Sequence, residues 1–270
     1  KYLNGKTVKE AAALWRDNIN EELEKPTEQE SITSKVVNNM IKEDLILLPK
    51  TPEIYTWPLL NKGKIKLTEQ GISLKDLSKE EKENIYQDAL AKNILNPTDF
   101  GSIFLQIRDV IGTTETRRLL AYLYAKLIKD SEINFDRIGS VAYGAVNTGD
   151  LVSYFLDKPG LLLRKEVGQE ATHSDILGHV YPGENIAMLE DVITSAESLI
   201  KAIKYLRDLT GANYDHAFVA VKRTEDGEQN CLKNGITLHY LMDMKRLLEY
   251  IYDSKLVDSD VKKLIMKYNA

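Results

Sequence analysis

The chain has 270 residues, long enough for one large α/β domain or for a domain of roughly 150 to 200 residues with an appendage. Its net charge of −5, with basic and acidic residues interspersed, argues against the electrostatic footprint of a nucleic-acid binder. No run approaches the roughly 18 apolar residues of a membrane span, no basic and apolar signal pattern opens the chain, and the single cysteine, Cys231, excludes an intramolecular disulfide or a cysteine metal cluster, so a cytoplasmic protein is expected.

In chain order, residues 7–25 place Val8, Ala11, Ala12, Trp15, Ile19 and Leu23 on one face at helical spacing, with Thr7 as N-cap. Pro26 and the polar residues 27–31 interrupt the pattern, and a helix resumes over 34–44. Apolar or β-rich runs at 45–48, 53–57 and 64–67, separated by Pro49, Pro52, Pro58 and Asn61-Lys-Gly63, predict a small strand-containing module. Residues 75–82 read as a charged connector or helix start. Residues 1–80 therefore form a helical and small-strand N-terminal extension to which the sequence assigns no role.

From Glu83 onward strands alternate with helices, the arrangement of a mostly parallel sheet flanked by helices. The predicted class is α/β, with one domain over residues 83–270. Helices are expected over 83–92, 113–129, 148–155, 199–209 and 244–252. The second of these buries a stripe of Leu119, Leu120, Leu123, Ala125, Leu127 and Ile128. Strands are expected over 103–108, 137–142, 160–164, 185–189 and 217–221. No internal repeat is evident.

The run Asn185-Ile-Ala-Met-Leu-Glu-Asp-Val-Ile-Thr-Ser-Ala-Glu-Ser198 reads as a buried strand, two adjacent carboxylates and a polar turn opening a helix. Such a turn offers backbone N–H groups and the positive end of a helix dipole to an anion, and the carboxylates can accept hydrogen bonds from sugar hydroxyls. Together they make a ribose-phosphate site. The blander reading is a pair of acids that only favours the helix dipole.

This pattern resembles the phosphoribosyl-pyrophosphate (PRPP) signature of the type I phosphoribosyltransferases. Over about residues 83–265 the chain resembles orotate phosphoribosyltransferases of the UMP synthase type, and its fold is expected to be theirs. The resemblance implies that Glu190 and Asp191 bind the ribose hydroxyls of PRPP directly or through Mg²⁺, with Asp191 the catalytic position, and that Thr194, Ser195 and Ser198 bind PRPP in the turn. In Leu161-Leu-Leu-Arg-Lys-Glu166 it implies that Arg164 and Lys165 contact PRPP phosphates, one within the subunit and one across a dimer interface. In Val141-Ala-Tyr-Gly-Ala145 it implies that Tyr143 and Gly144 cradle pyrophosphate, with Ala142 where the family has proline. In Val221-Lys-Arg-Thr-Glu-Asp-Gly227 it implies that Arg223 pairs with the orotate carboxylate, with Lys222 replacing an acid. Asn234-Gly-Ile-Thr-Leu-His-Tyr240 and Lys255-Leu-Val-Asp258 are similar to the closing strand and tail.

The chain departs from the family at several points. The glycine of the phosphate turn is Ala196, and the next position, usually Gly, Ser or Thr, is Glu197. The loop over 167–178 has no lysine, and its His173 is out of register with the family's histidine. Residues 93–102 lack the Lys-Ser-Gly hairpin. From Arg164 to Ser198 there are two basic residues, Arg164 and Lys165, against seven acidic ones. The helix over 7–23 is distantly similar to the last helix of orotidine monophosphate decarboxylases, which are fused to this transferase in some organisms.

The implied function is transfer of ribose 5-phosphate from PRPP to orotate, with release of pyrophosphate, in UMP biosynthesis. Mg²⁺ would enter with PRPP rather than at a metal site of the protein. The expected partners are PRPP and orotate or a nucleotide, and a second copy of the chain or an active paralogue, with neither nucleic acid nor membrane. The alternative is a catalytically silent family member that binds a nucleotide as a regulatory or scaffolding subunit; a transferase for another base is a third reading.

Overall fold

The strand–helix alternation builds a six-stranded sheet in a computed structural model of the chain, which describes residues 26–48, 59, 61–75, 77–95, 103–141, 144–163 and 176–269. Two compact units emerge. One holds the described residues up to Met40 together with Ile107–Tyr250; the other holds Ile41–Gln106 and the residues from Ile251 onward.

The first unit contains most of α1 (Pro26–Lys42), a 3-10 turn (Ile107–Gly112), α4 (Glu115–Asp130), β3 (Arg137–Val141), α5 (Val146–Leu156), β4 (Gly160–Leu163), β5 (Ile176–Leu177), β6 (Asn185–Ile193), α6 (Glu197–Thr210), β7 (Asn213–Lys222), α7 (Glu225–Lys233), β8 (Thr237–Asp243) and the start of α8 (Met244–Asp253). The sheet order is β5-β4-β3-β6-β7-β8, parallel throughout except for β5, which runs antiparallel to β4. Strands covered on both faces read as continuous apolar runs. Accordingly Ile186, Ala187, Met188 and Leu189 of β6, and Ala217 to Val221 of β7, are all buried. Helix α6 adds Leu199, Ile200, Ala202, Ile203 and Leu206 to the same core as Met188, Ala217, Val219 and Cys231. Burial, and then the charge of Glu228, push the Cys231 thiol up to about 11. Helix α4 packs against β7 and β8. Its buried residues include Tyr122 and Tyr124, whereas Leu119 and Leu127 of the expected stripe are only half-buried.

The second unit holds β1 (Ile46–Leu47), α2 (Asn61–Glu69), α3 (Lys79–Ala91), β2 (Phe104–Leu105) and α9 (Ser259–Asn269). Strands β1 and β2 pair antiparallel, Ile46 with Leu105 and Leu47 with Phe104. Only those two residues of the run 103–108 are strand; the 3-10 turn takes over at Ile107. Residues 64–67, expected as strand, lie inside α2. The Lys-Ile-Lys-Leu alternation has a strand period, but Leu67 is buried against Leu59, Tyr86, Ala89 and Leu95 while Ile65 stays exposed. Helix α3 starts with a reciprocal capping box: Ser78 Oγ accepts from Glu81 N–H (3.2 Å) and the Glu81 carboxylate accepts from Ser78 N–H (2.7 Å). Tyr86 and Ala89 of α3 join this cluster, and the units change over between residues 40 and 41, 106 and 107, and 250 and 251. The expected helix over 7–25 and strand over 53–57 lie outside the described residues. Among those described, no helix is long and apolar enough to cross a membrane.

Candidate functional site

Strand β3 has β4 on one side and β6 on the other, so the connections leaving β3 and β6 diverge at their carboxyl ends. Open α/β sheets bind ligands in the crevice at such a switch point. Gly144, just after β3, and Asp191, near the end of β6, meet there. A Cβ on Gly144 would lie 2.4 Å from the Asp191 Cγ and 2.6 Å from each carboxylate oxygen, so any other residue there would push that carboxylate aside. The first turn of α5 sits equally tightly on β3: a Cβ on Gly149 would lie 1.9 Å from Ser140 Oγ.

The strand carrying the acids is longer than expected. β6 continues to Ile193, so Glu190 and Asp191 belong to a paired strand rather than to the loop after it. Asp191 Oδ1 accepts from Val192 N–H at 2.7 Å, and Glu190 Oε1 accepts from Asp191 N–H at 3.1 Å. Beneath them Tyr124 donates its hydroxyl to the Glu190 carbonyl at 2.7 Å. Burial, with the charges of Asp191 and Glu190 behind it, holds this phenol well above its usual pKa, so it remains a donor. The sequence alone does not single out Tyr124. Its signal was a tyrosine inside an apolar helix, whose buried hydroxyl needs a partner.

Thr194, Ser195 and Ala196 form the turn before α6. Ala196 adopts φ 60°, ψ 10°, the left-handed conformation of glycine, at a cost of about 1 kcal/mol for an alanine. The turn thus holds an alanine in a backbone conformation that favours glycine. Glu197 and Ser198 are exposed on the first turn of α6, which begins two residues earlier than expected. Helix α7, which the sequence did not announce, backs onto this turn. Thr224 Oγ1 donates to the Thr194 carbonyl (2.7 Å) and Asn230 Nδ2 to the Ser195 carbonyl (3.1 Å).

Arg223 follows β7, its N–H donating to the Ile193 carbonyl at 2.9 Å. Its half-buried guanidinium makes no hydrogen bond or ion pair among the described residues, and burial lowers its pKa. Its neighbour differs sharply. Lys222 is buried with its ammonium on Glu225 (2.8 Å) and Glu228 (2.6 Å) and over the Tyr240 ring. Burial alone would lower its pKa, but the hydrogen bonds to Glu225, Glu228 and Tyr240 more than offset this and raise it. Lys222 is therefore a structural cation.

The structure thus gathers Gly144, Glu190, Asp191, Thr194, Ser195, Ser198 and Arg223 at the carboxyl ends of β3, β6 and β7. Tyr143, Arg164, Lys165 and His173 lie outside the described residues. Glu190 and Asp191 are hard oxygen donors, and no group of three or more His, Cys, Asp or Glu that could hold a metal occurs among the described residues. Hard oxygen donors of this kind suit Mg²⁺.

Sheet order, switch point and strand-end acids define a type I phosphoribosyltransferase fold. No protein-family model matches the chain. Orotate phosphoribosyltransferase of Pyrococcus horikoshii is 30% identical over 146 residues, 54% of this chain and 78% of that protein. Uridine 5'-monophosphate synthase of Caenorhabditis elegans is 27% identical over 153 residues, 56% of this chain but only 31% of that longer protein. The structure of Leishmania donovani UMP synthase has the same fold, with a TM-score of 0.62 at 16% identity, over 87% of this chain and 42% of that one. The chain belongs to the orotate phosphoribosyltransferase family and is an orotate phosphoribosyltransferase-type domain of pyrimidine (UMP) biosynthesis.

Proposed function

We propose that this site binds PRPP and transfers its ribose 5-phosphate to orotate, releasing pyrophosphate. The observation that carries the reading is the seating of the Asp191 carboxylate against the bare backbone of Gly144, which joins the ends of β3 and β6 into one acceptor-lined crevice. Ribose hydroxyls donate to Asp191 and Glu190, and Asp191 holds the reacting end. The 5-phosphate occupies the turn of Thr194, Ser195 and Ser198, where N–H groups and the α6 dipole meet an anion. Gly144, with Tyr143, Arg164 and Lys165 assigned by the family resemblance alone, serves the pyrophosphate. Arg223, desolvated and without a counter-ion among the described residues, takes the orotate carboxylate in a bidentate pair.

Catalysis in this reading is positioning together with electrostatic stabilisation of the departing pyrophosphate. When bound with PRPP, Mg²⁺ neutralises part of the pyrophosphate charge. Assembly with a second copy, or with an active paralogue, would supply the cation that residues 167–178 lack. A cytoplasmic setting belongs to the same proposal, as does the treatment of residues 1–80 as an N-terminal extension to which no role is assigned.

Orotate consumption with PRPP and Mg²⁺ at near-stoichiometric protein tests the reading. Turnover that disappears in Asp191→Asn supports it. Arg223→Gln should raise the KM for orotate by about tenfold or more while leaving that for PRPP near its original value. Equal residual turnover in wild type and Asp191→Asn would overturn the assignment.

A further inference from the structure

Helix α7 holds the phosphate turn from behind at three points. Thr224 Oγ1 and Asn230 Nδ2 donate to the carbonyls of Thr194 and Ser195. Gly227 lies so close that a Cβ there would sit 2.3 Å from the Thr194 carbonyl oxygen and 3.0 Å from Ile193 Cδ1. A trans peptide is planar, with its C=O and N–H pointing in opposite directions. Drawing the Thr194 carbonyl toward α7 therefore turns the Ser195 N–H away from α7. Drawing the Ser195 carbonyl the same way turns the Ala196 N–H away as well. Neither N–H has an acceptor among the described residues.

This arrangement bears on the missing glycine. Ala196 disfavours its left-handed conformation, and a free turn with alanine there would relax toward ordinary backbone angles. The two donors and the close contact at Gly227 fix the peptide planes on the N-terminal side of Ala196.

We infer that Asn230 and Thr224 are positioning residues for the phosphate of the ribose ligand: from behind the turn they aim the Ser195 and Ala196 N–H groups at the anion and hold a glycine-free turn in its binding conformation. The inference rests on the functional reading above. Neither side chain needs to touch the phosphate, because each acts through a carbonyl on the far side of the peptide. Gly227 serves the same end by giving the Thr194 carbonyl room to approach the helix.

The test is calorimetric titration of the full chain with ribose 5-phosphate, in wild type, Asn230→Ala, Thr224→Val and the exposed control Gln229→Ala on the same helix. Asn230→Ala should weaken binding by about tenfold, and Thr224→Val by a smaller factor, with Gln229→Ala unchanged. In steady-state assays the KM for PRPP should rise while that for orotate stays constant, a split that general loosening of the fold would not give. Folded variants whose ribose 5-phosphate affinity stays within about twofold of wild type would overturn the inference. If Asn230→Ala fails to fold, Thr224→Val carries the same decision. Wild-type protein that binds no ribose 5-phosphate overturns the functional reading, and this inference with it; binding by wild type that the variants leave untouched overturns the inference alone.

Discussion

The two ends of the parallel strands handle charge in opposite ways. At the amino ends, polar groups find partners within the chain. Arg137 grips Glu184 through two hydrogen bonds of 2.6 and 2.8 Å. Arg207 donates to the carbonyls of Asn234, Tyr214 and Gly235 and to Asp215. Asn213 bonds Asn185, whose N–H donates to Asp136. At the carboxyl ends, the Asp191 carboxylate is set against a bare glycine, and among the described residues neither the Arg223 guanidinium nor the Ser195 and Ala196 N–H groups of the turn have a partner. Charges satisfied internally hold the sheet together; charges left open are available to a ligand. Lys222 marks the border between the two modes: it stands at the carboxyl end yet is bound by Glu225 and Glu228.

The contrast can be broken most directly at its extremes. Asp191→Asn should lower turnover by about a hundredfold or more, with the midpoint of thermal unfolding unchanged; a large fall in that midpoint would give the carboxylate a structural role and blur the contrast. Arg137→Ala should do the reverse. It leaves a partly buried Glu184 with the Tyr181 N–H as its remaining partner and should cost about 2 kcal/mol in denaturant unfolding, with the KM for PRPP and orotate unaltered.

The pH dependence of that pair sharpens the test. The Arg137 hydrogen bond holds the Glu184 carboxyl below its ordinary value of 4.5. A carboxyl depressed in the folded state adds stability above its unfolded pKa and loses it as pH falls through the folded one. The stability gap between wild type and Arg137→Ala should therefore be full at neutral pH and narrow below about pH 4.

Smaller effects belong to the turn. Ala196→Gly together with Glu197→Thr should tighten PRPP binding by at least about tenfold, or about 1.4 kcal/mol; no gain would mean that the acid and the alanine are already accommodated. Ala196→Gly alone should raise stability by up to about 1 kcal/mol, measured by chemical unfolding, because it removes left-handed strain at a small entropic cost in the unfolded chain.

Strands β3, β4, β6 and β7 were legible because buried parallel strands are nearly continuous apolar runs, and Glu190-Asp191 stood out at the end of one, whereas the two-residue β5 lies within the run 167–178 that reads as a loop. What stayed hidden had weaker local signals. Helix α7 carries Glu-Asp-Gly-Glu-Gln-Asn before its one buried large side chain, Cys231, so its helical period is faint. Its grip on Thr194 and Ser195 is a contact across about thirty residues that no local pattern encodes. Tyr124 was passed over because its role lies in the hydroxyl and not in the apolar stripe. The run 64–67 misled because Lys-Ile-Lys-Leu alternates like a strand, while a single residue, Leu67, decides which face is buried.

Cys231 follows Asn230 on α7, and its thiol is fully buried with a pKa pushed up to about 11. Only a thiolate reacts with alkylating reagents, and only where a reagent can reach it. Labelling of the chain's one sulfhydryl therefore waits for α7 to lift from the sheet, a local opening with its own free energy. The cysteine becomes a clock for that helix: the pace of its modification, followed by mass spectrometry without any substrate, records how often the back of the turn before α6 comes undone.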